Sequence, residues 1–215
     1  MEKGSVKKEV PLPFGVNPTK RYVSLGGEAV LFNKYDVGNS GSVELVDYMG
    51  GDDTVERVAT AGHGRGIVQP HLDQDSFISS LGYRGILQPF KSVQLKFSIQ
   101  SPIEVALDFV YEPGVNINEY SLRYSRALET SQITSLQELE KHMPSKDAEK
   151  VYELMRKSRE RSFASYLELV GGDIDMAREL ARTALGTDQD TRYFWKIDLP
   201  SLANFSKRVK ARSDS

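Results

Sequence analysis

Three stretches of the chain distribute apolar residues in the way that strands do. Residues 93–99 place Val, Leu, Phe and Ile on one side and Gln, Lys and Ser on the other, which predicts a strand with one covered face. Residues 43–49 alternate similarly, and residues 191–199 are rich in aromatic and branched side chains. Shorter apolar runs at 22–25 and 29–32 predict two further strands around a glycine turn.

A second set of segments has apolar residues at helical spacing. Residues 147–170 form the longest, with a charged opposite face. Another starts at Ser101, which we expect to accept a hydrogen bond from a free backbone N–H, with Pro102 in the first turn and Glu104 at the third position. Its predicted apolar face is Ile103, Ala106, Leu107 and Val110. The other predicted helices are 54–61 after Asp52 or Asp53, 73–81, 174–185 after Asp173, and one from Pro200 onward.

This order of elements predicts one α+β domain over residues 43–215. Residues 1–42 are predicted to be an N-terminal extension, because three prolines and several basic residues lie close together there. The extension is either a solvated tail or an arm that wraps a neighbouring subunit. The glycine-rich segment 62–66 lacks both the Lys-Ser/Thr of a phosphate loop and the dinucleotide spacing, which favours a turn.

Composition excludes several classes of function. The net charge is −2, so there is no bulk electrostatic attraction for nucleic acid or an anionic membrane. The chain has no cysteine, which removes disulfides, thiolate nucleophiles and Cys-based zinc sites, and its three histidines are too scattered for a metal site. It has no apolar run long enough for a membrane span and no secretory signal, so a cytoplasmic location is expected.

The segment that follows the helix at 103–110 carries the candidate chemistry. After a break at Pro113 and a polar loop, Ser121 and Arg123 lie two residues apart, a spacing suited to holding an anion. The sequence Asn118-Glu119-Tyr120-Ser121-Leu122-Arg123-Tyr124-Ser125 resembles the signature region of the flavin-dependent thymidylate synthases. Three more blocks resemble that family in the same order, at residues 43–50, 88–99 and 181–205.

The resemblance implies a central, mostly antiparallel sheet with long helices and a homotetramer with active sites between subunits. The family methylates dUMP to dTMP with FAD, NADPH and methylenetetrahydrofolate, and it needs no cysteine nucleophile. By position, the substrate-binding residues implied are Ser121, Leu122, Arg123 and Arg182. The cofactor-binding residues implied are Gln88, Asn118, Glu119, Asp198 and Asn204. From the residues alone, Glu119 could instead pair with Arg182, and Asn118 could cap a helix.

The chain also departs from the family pattern. Tyr111, Glu112 and Pro113 occupy the three positions where the family has the Arg-His-Arg that holds its flavin. Val209 stands where the family has an Arg thought to polarise dUMP, and the segment that normally follows is absent. The other substitutions are Lys91 and Ser92 for Glu-His, Asp108 for Gln, Asn116 for Ser and Leu122 for Gly.

Three functions remain open from these departures, and no catalytic residue is assigned. The chain is a divergent flavin enzyme, or a catalytically dead homologue that serves as a structural or regulatory subunit with a paralogue. The third reading is a nucleotide-binding protein without flavin.

Overall fold

A computed structural model describes residues 24–63, 73–171 and 176–213. Its strands form one antiparallel sheet in the order β1-β2-β3-β5-β4, which confirms the α+β class. The central strand β3 pairs with β2 on one side and β5 on the other. The strand bounds are β1 Lys34–Val37, β2 Gly41–Met49, β3 Gln94–Pro102, β4 Asn116–Glu119 and β5 Asp190–Asp198.

The helices of the described ranges differ greatly in length. The long helix predicted over 147–170 is confirmed as α6, Ser145–Gly171. None of these helices is long and apolar enough to cross a bilayer. The remaining bounds are α1 Leu25–Val30, α2 Asp52–His63, α3 Gln74–Tyr83, α4 Ile103–Val110, α5 Leu136–Glu140, α7 Arg178–Ala181 and α8 Leu199–Ser213.

Alternation along β5 divides the sheet into a buried face and an open face. Tyr193, Trp195 and Ile197 are buried, whereas the residues between them are exposed. The buried face packs against α4 and α8, where Phe109 lies edge-on to Trp195 at a ring-centroid distance of 5.1 Å. The Trp195 indole N–H also donates to the Phe109 carbonyl at 3.2 Å, which fixes α4 on the sheet. At β5, the core therefore lies on only one side of the sheet.

Two smaller apolar clusters lie beside this core. One joins α2, α3 and the start of β3 through Val55, Ala59, Leu81 and Val93. The other joins α6 and α7 to the chain after β4 through Ala127, Tyr166 and Ala181. This second cluster, called the α6–α7 cluster below, positions the candidate site.

The two N-terminal strands predicted at 22–25 and 29–32 are wrong where the structure describes them. Leu25–Val30 is a helix, because the Ser24 hydroxyl accepts a hydrogen bond from the Gly27 N–H and caps its first turn. Leu31 contributes only an isolated bridge to Leu45. The sheet also includes β1, which pairs with β2 through a turn at Gly38, a glycine with φ of 62°.

The predicted N-cap at Ser101 is also wrong. Ser101 still belongs to β3, and its hydroxyl bonds to the buried Tyr193 hydroxyl at 3.1 Å. The first N–H groups of α4, those of Ile103 and Glu104, donate instead to the carbonyls of Gln189 and Thr187. Pairing of β3 with β5 continues to Pro102, so the helix can begin only at Ile103.

The buried face of α4 differs from the predicted one. Ala106 is buried and Phe109 packs into the core, whereas Leu107 and Val110 are each 47% exposed. Ala106 and Phe109 are three positions apart, which suits a short helix that contacts the sheet along one narrow line.

Two further predictions lie partly outside the described residues. Asp173 and the start of the helix predicted at 174–185 lie there, and so do most of the residues of the glycine-rich segment 62–66. Met176 and Ala177 are not helical, so in the described part the helix is only α7, followed by a 3₁₀ turn at Arg182–Ala184.

Candidate functional site

The predicted anion-holding residues lie in a tight turn at the edge of the sheet. After β4, the Tyr120 N–H donates to the Arg192 carbonyl at 2.7 Å, and the chain then turns. The Ser121 carbonyl accepts from the N–H of Ser125 at 3.0 Å, which closes the turn. The Ser121 hydroxyl accepts from the Arg123 N–H at 3.3 Å, and both side chains are exposed.

The α6–α7 cluster brings Arg182 to the same place. Leu122, between Ser121 and Arg123, packs into that cluster together with the fully buried Ala181. The Arg178 guanidinium donates to the Tyr124 carbonyl at 2.9 Å, a second contact between α7 and the turn. Arg182 directly follows Ala181 and is exposed. Residues about sixty positions apart in sequence therefore converge around one apolar contact.

Charges at this turn are partly neutralised within the chain. The Arg123 Nε lies 3.3 Å from a carboxylate oxygen of Glu179, and its guanidinium lies 5.6 Å from the centre of the Tyr124 ring. Arg182 has no ion-pair partner among the described residues. Glu119, the alternative partner for Arg182, accepts a hydrogen bond from the Thr191 hydroxyl at 2.8 Å instead. An anion that binds here would meet one free guanidinium and one that is shared with Glu179.

The predicted cofactor residues are spread over several elements. Asn118 and Glu119 are neighbours in β4 and therefore face opposite sides of the sheet, so Asn118 is not a helix cap. Gln88 is exposed and precedes a 3₁₀ turn at Pro89–Ser92. Asn204 is exposed on α8. Asp198, 9% exposed, accepts from the Ser201 N–H at 2.8 Å and so caps α8.

The positions of the family's basic triad do not fit an anionic cofactor in this chain. Tyr111 ends α4 and is 80% exposed. Glu112 follows, and its carboxylate forms an ion pair with Arg208 of α8. The Glu112 side chain is 8% exposed and that of Arg208 is 52% exposed, so the carboxylate is covered while the guanidinium remains partly in solvent. The segment thus presents a carboxylate and a proline where a flavin phosphate would need cationic donors.

Tyr193 is the titratable group that the fold perturbs most clearly near β4. Burial raises the pKa of its hydroxyl to about 12, the nearby Glu119 charge acts in the same direction, and the hydrogen bond with Ser101 opposes them. The hydroxyl therefore keeps its proton at physiological pH, and it would be a weaker acid than an exposed tyrosine.

One constellation on the open face was not predicted from the sequence. Phe194, Lys196 and Lys96 line a cavity of about 460 Å³ with Asn116, Asn118, Val46 and Asp47. The signal was present, because alternation in residues 191–199 places Phe194 and Lys196 on one face. The contribution of β3 required the strand register, in which Lys96 lies opposite Lys196.

Comparison with known proteins gives a consistent result. The family model described as thymidylate synthase complementing protein matches residues 44–214. The flavin-dependent thymidylate synthase of Rickettsia typhi is 32% identical over 222 residues, covering 93% of this chain and 74% of that protein. The corresponding protein of Ehrlichia ruminantium strain Gardel is 32% identical over 208 residues, covering 91% and 68%.

A solved structure has the same fold. The UMP/dUMP methylase PolB from Streptomyces cacaoi, crystallised with 5-Br dUMP, superimposes with a TM-score of 0.66 at 20% identity. The match covers 80% of this chain and 79% of that one.

Proposed function

Because this chain belongs to the thymidylate synthase complementing protein family, we propose that it binds a pyrimidine nucleotide of the dUMP type at the turn 121–125 and Arg182. The chain is a flavin-dependent thymidylate synthase-like protein. The observation that carries the proposal is the packing of Leu122 against the α6–α7 cluster, which also contains Ala181, so that Ser121, Arg123 and Arg182 all adjoin one cluster.

Each of these residues has a distinct role in the proposed complex. The Ser121 hydroxyl donates to a phosphate oxygen, and the guanidinium groups of Arg123 and Arg182 supply charge-assisted hydrogen bonds. Leu122 positions the turn through its packing, because its side chain lies in the α6–α7 cluster. Glu179 competes with the phosphate for Arg123, so its carboxylate lowers the affinity.

The flavin-dependent relatives imply a cofactor that would accept and deliver hydride during methylation. The residues of this chain that match the flavin clamp, Tyr111, Glu112 and Pro113, do not fit it, and Asp198 is engaged as a helix cap. We therefore propose that the chain binds a nucleotide and that these residues do not hold a flavin. The catalytically dead subunit of the sequence-based alternatives fits this proposal.

Methylation of dUMP with FAD, NADPH and methylenetetrahydrofolate is the second candidate. The observation that favours it is the family match over residues 44–214. Such activity would need another copy or a paralogue to complete the site. Exposed apolar residues of α4, namely Val105, Leu107 and Val110, support a homo-oligomer, which we propose as a tetramer by resemblance.

We also propose that the protein is located in the cytoplasm.

Calorimetric titration with dUMP tests the binding site. We expect Arg123→Ala and Arg182→Ala each to weaken binding by roughly ten-fold or more, because each loses a charge-assisted contact. Glu179→Gln should strengthen binding, since it frees Arg123. Arg161→Ala on the exposed part of α6 is the matched control. Unchanged affinity in both arginine variants would reduce these residues to a structural role.

The visible spectrum of the purified protein separates the two candidates. A colourless protein that takes up no FAD supports the flavin-free proposal. A flavin band at near-stoichiometric occupancy would overturn it, and tritium release from labelled dUMP would then establish methylation.

A further inference from the structure

We propose that the open face of the sheet carries a second ligand site, which binds the base and phosphate of a purine nucleotide through Phe194, Lys96 and Lys196. This open-face site is defined by the seven residues of the 460 Å³ cavity described above. Its lining shares no residue with the turn at 121–125, although Asn118 precedes that turn by three positions.

The first observation is a pair of like charges directly opposite each other. Lys96 of β3 and Lys196 of β5 are register partners, so their side chains leave the same face of the sheet side by side. Facing like charges on neighbouring strands are unfavourable. Asp47 offsets one of them, since its carboxylate lies 3.0 Å from the Lys96 ammonium. Lys196 is exposed and has no carboxylate partner among the described residues, so its ammonium is left for an anion.

The second observation is an exposed aromatic ring two residues before Lys196 in β5, on the same face of the strand. Phe194 is 50% exposed although its strand neighbours Tyr193 and Trp195 are buried. Alternate residues of a strand are about 6.7 Å apart. This spacing is on the scale of the separation between the base and the 5′-phosphate of a nucleotide. A base stacked on Phe194 would therefore bring its phosphate to Lys196 and Lys96.

The third observation is the pair of amides on the edge strand. Asn116 and Asn118 of β4 lie opposite Lys196 and Phe194 in the register and line the same cavity. An asparagine amide both donates and accepts, so Asn118 can bond the polar edge of a base that rests on Phe194. The cavity volume is within the usual range for small-molecule sites.

These features favour a mononucleotide with a purine base. The larger ring system covers more of the exposed Phe194 face than a pyrimidine does. A long nucleic acid is disfavoured because the chain carries a net charge of −2 and Asp47 borders the lysines.

Calorimetric titration of the full chain with AMP tests the proposal. We expect Phe194→Leu and Lys196→Gln each to weaken AMP binding by roughly ten-fold, since one loses the stacking ring and the other the free cation. Lys150→Gln on exposed α6 is the charge-matched control and should leave the affinity unchanged. Thermal unfolding midpoints equal to that of the unsubstituted chain would show that both open-face variants fold.

The outcomes distinguish this site from the dUMP site. AMP binding that survives Arg123→Ala and Arg182→Ala but not Phe194→Leu supports the open-face site, whatever dUMP does. The proposal is overturned if AMP does not bind, or if the Phe194 and Lys196 variants both bind AMP as tightly as the unsubstituted chain does. Binding of inorganic phosphate as tight as that of AMP would overturn the stacking role. Tighter binding of a thymidine decamer than of AMP would replace the mononucleotide with single-stranded nucleic acid.

Discussion

The carboxylate of Glu112 is paired with the guanidinium of Arg208, which connects the chain after α4 to α8. The two ends differ in exposure, since the Glu112 side chain is 8% exposed and that of Arg208 is 52% exposed. Both helices cover the same face of the sheet. Glu112, at a position where the resemblance implies flavin binding, therefore serves here to connect the end of α4 to α8.

Removing the two partners should have unequal effects on stability. Arg208→Ala leaves a nearly buried carboxylate without a cation, so we expect it to lower the free energy of unfolding by about 1–3 kcal/mol. Glu112→Gln removes the negative charge and keeps the shape, so its effect should be smaller. Urea unfolding of both variants and of the double variant measures the coupling. Equal losses in the two single variants would contradict this asymmetry.

Asp198 is expected to act as a helix cap that asparagine can replace. Its carboxylate accepts from the Ser201 N–H, so Asp198→Ala should cost about 1–2 kcal/mol of unfolding free energy. Asp198→Asn keeps an acceptor at the same place and should lower the unfolding free energy by only about a few tenths of a kcal/mol. Chemical unfolding checks both. A loss in the asparagine variant as large as in the alanine variant would assign the role to the negative charge instead.

The long elements of the fold were predictable because their patterns are local. The alternation at 93–99 and the helical spacing at 147–170 specify β3 and α6 without help from the rest of the chain. The strands β1 and β4 have four residues each, which is too short for alternation to mark a strand reliably. They exist because β2 and β5 offer free edges for pairing. Ser101 was misassigned for the same reason, since pairing with β5 decides where β3 ends.

The candidate site was predictable only in part. Ser121 and Arg123 lie two residues apart in sequence, and their spacing alone indicated an anion site. Arg182 joins them through the packing of Leu122 and Ala181, which spacing cannot reveal and which only the family resemblance indicated. The pairing of Lys96 with Lys196 depends on strand register, so the sequence could indicate Phe194 and Lys196 on one face but not the contribution of β3 to the open-face site.

The Tyr166 hydroxyl should add to the stability of the α6–α7 cluster beyond what the buried ring contributes. The side chain is fully buried, and its oxygen accepts from the buried Ala127 N–H at 2.9 Å. Tyr166→Phe leaves that N–H without a partner, so we expect a loss of about 1–3 kcal/mol in unfolding free energy. Tyr83→Phe, at a side chain that is 96% exposed, is the matched control and should change little. A neutral effect of Tyr166→Phe would mean that the ring alone holds the cluster.

Stability at high pH should depend on Tyr193. Burial raises the pKa of its hydroxyl to about 12 in the folded chain, above the value of about 10 for a free tyrosine. Between these two values the folded state holds more protons than the unfolded state. The contribution of the Tyr193 hydroxyl to the free energy of unfolding is therefore fully present below pH ~10. It is lost as the pH rises toward ~12, by at most ~1.4 kcal/mol per pH unit.

Tyr193→Phe isolates this contribution from that of the other tyrosines. The variant loses the hydrogen bond with Ser101, so it should be less stable than the unsubstituted chain at pH 8. The difference in unfolding free energy between the two should shrink from pH 10 to pH 12. In this range Tyr193 loses its proton on unfolding, which favours the unfolded state of the unsubstituted chain, whereas phenylalanine has no proton to lose. Urea unfolding at several pH values measures that difference. A constant gap across the range would mean that Tyr193 ionises equally well in both states, and that its burial does not control its charge.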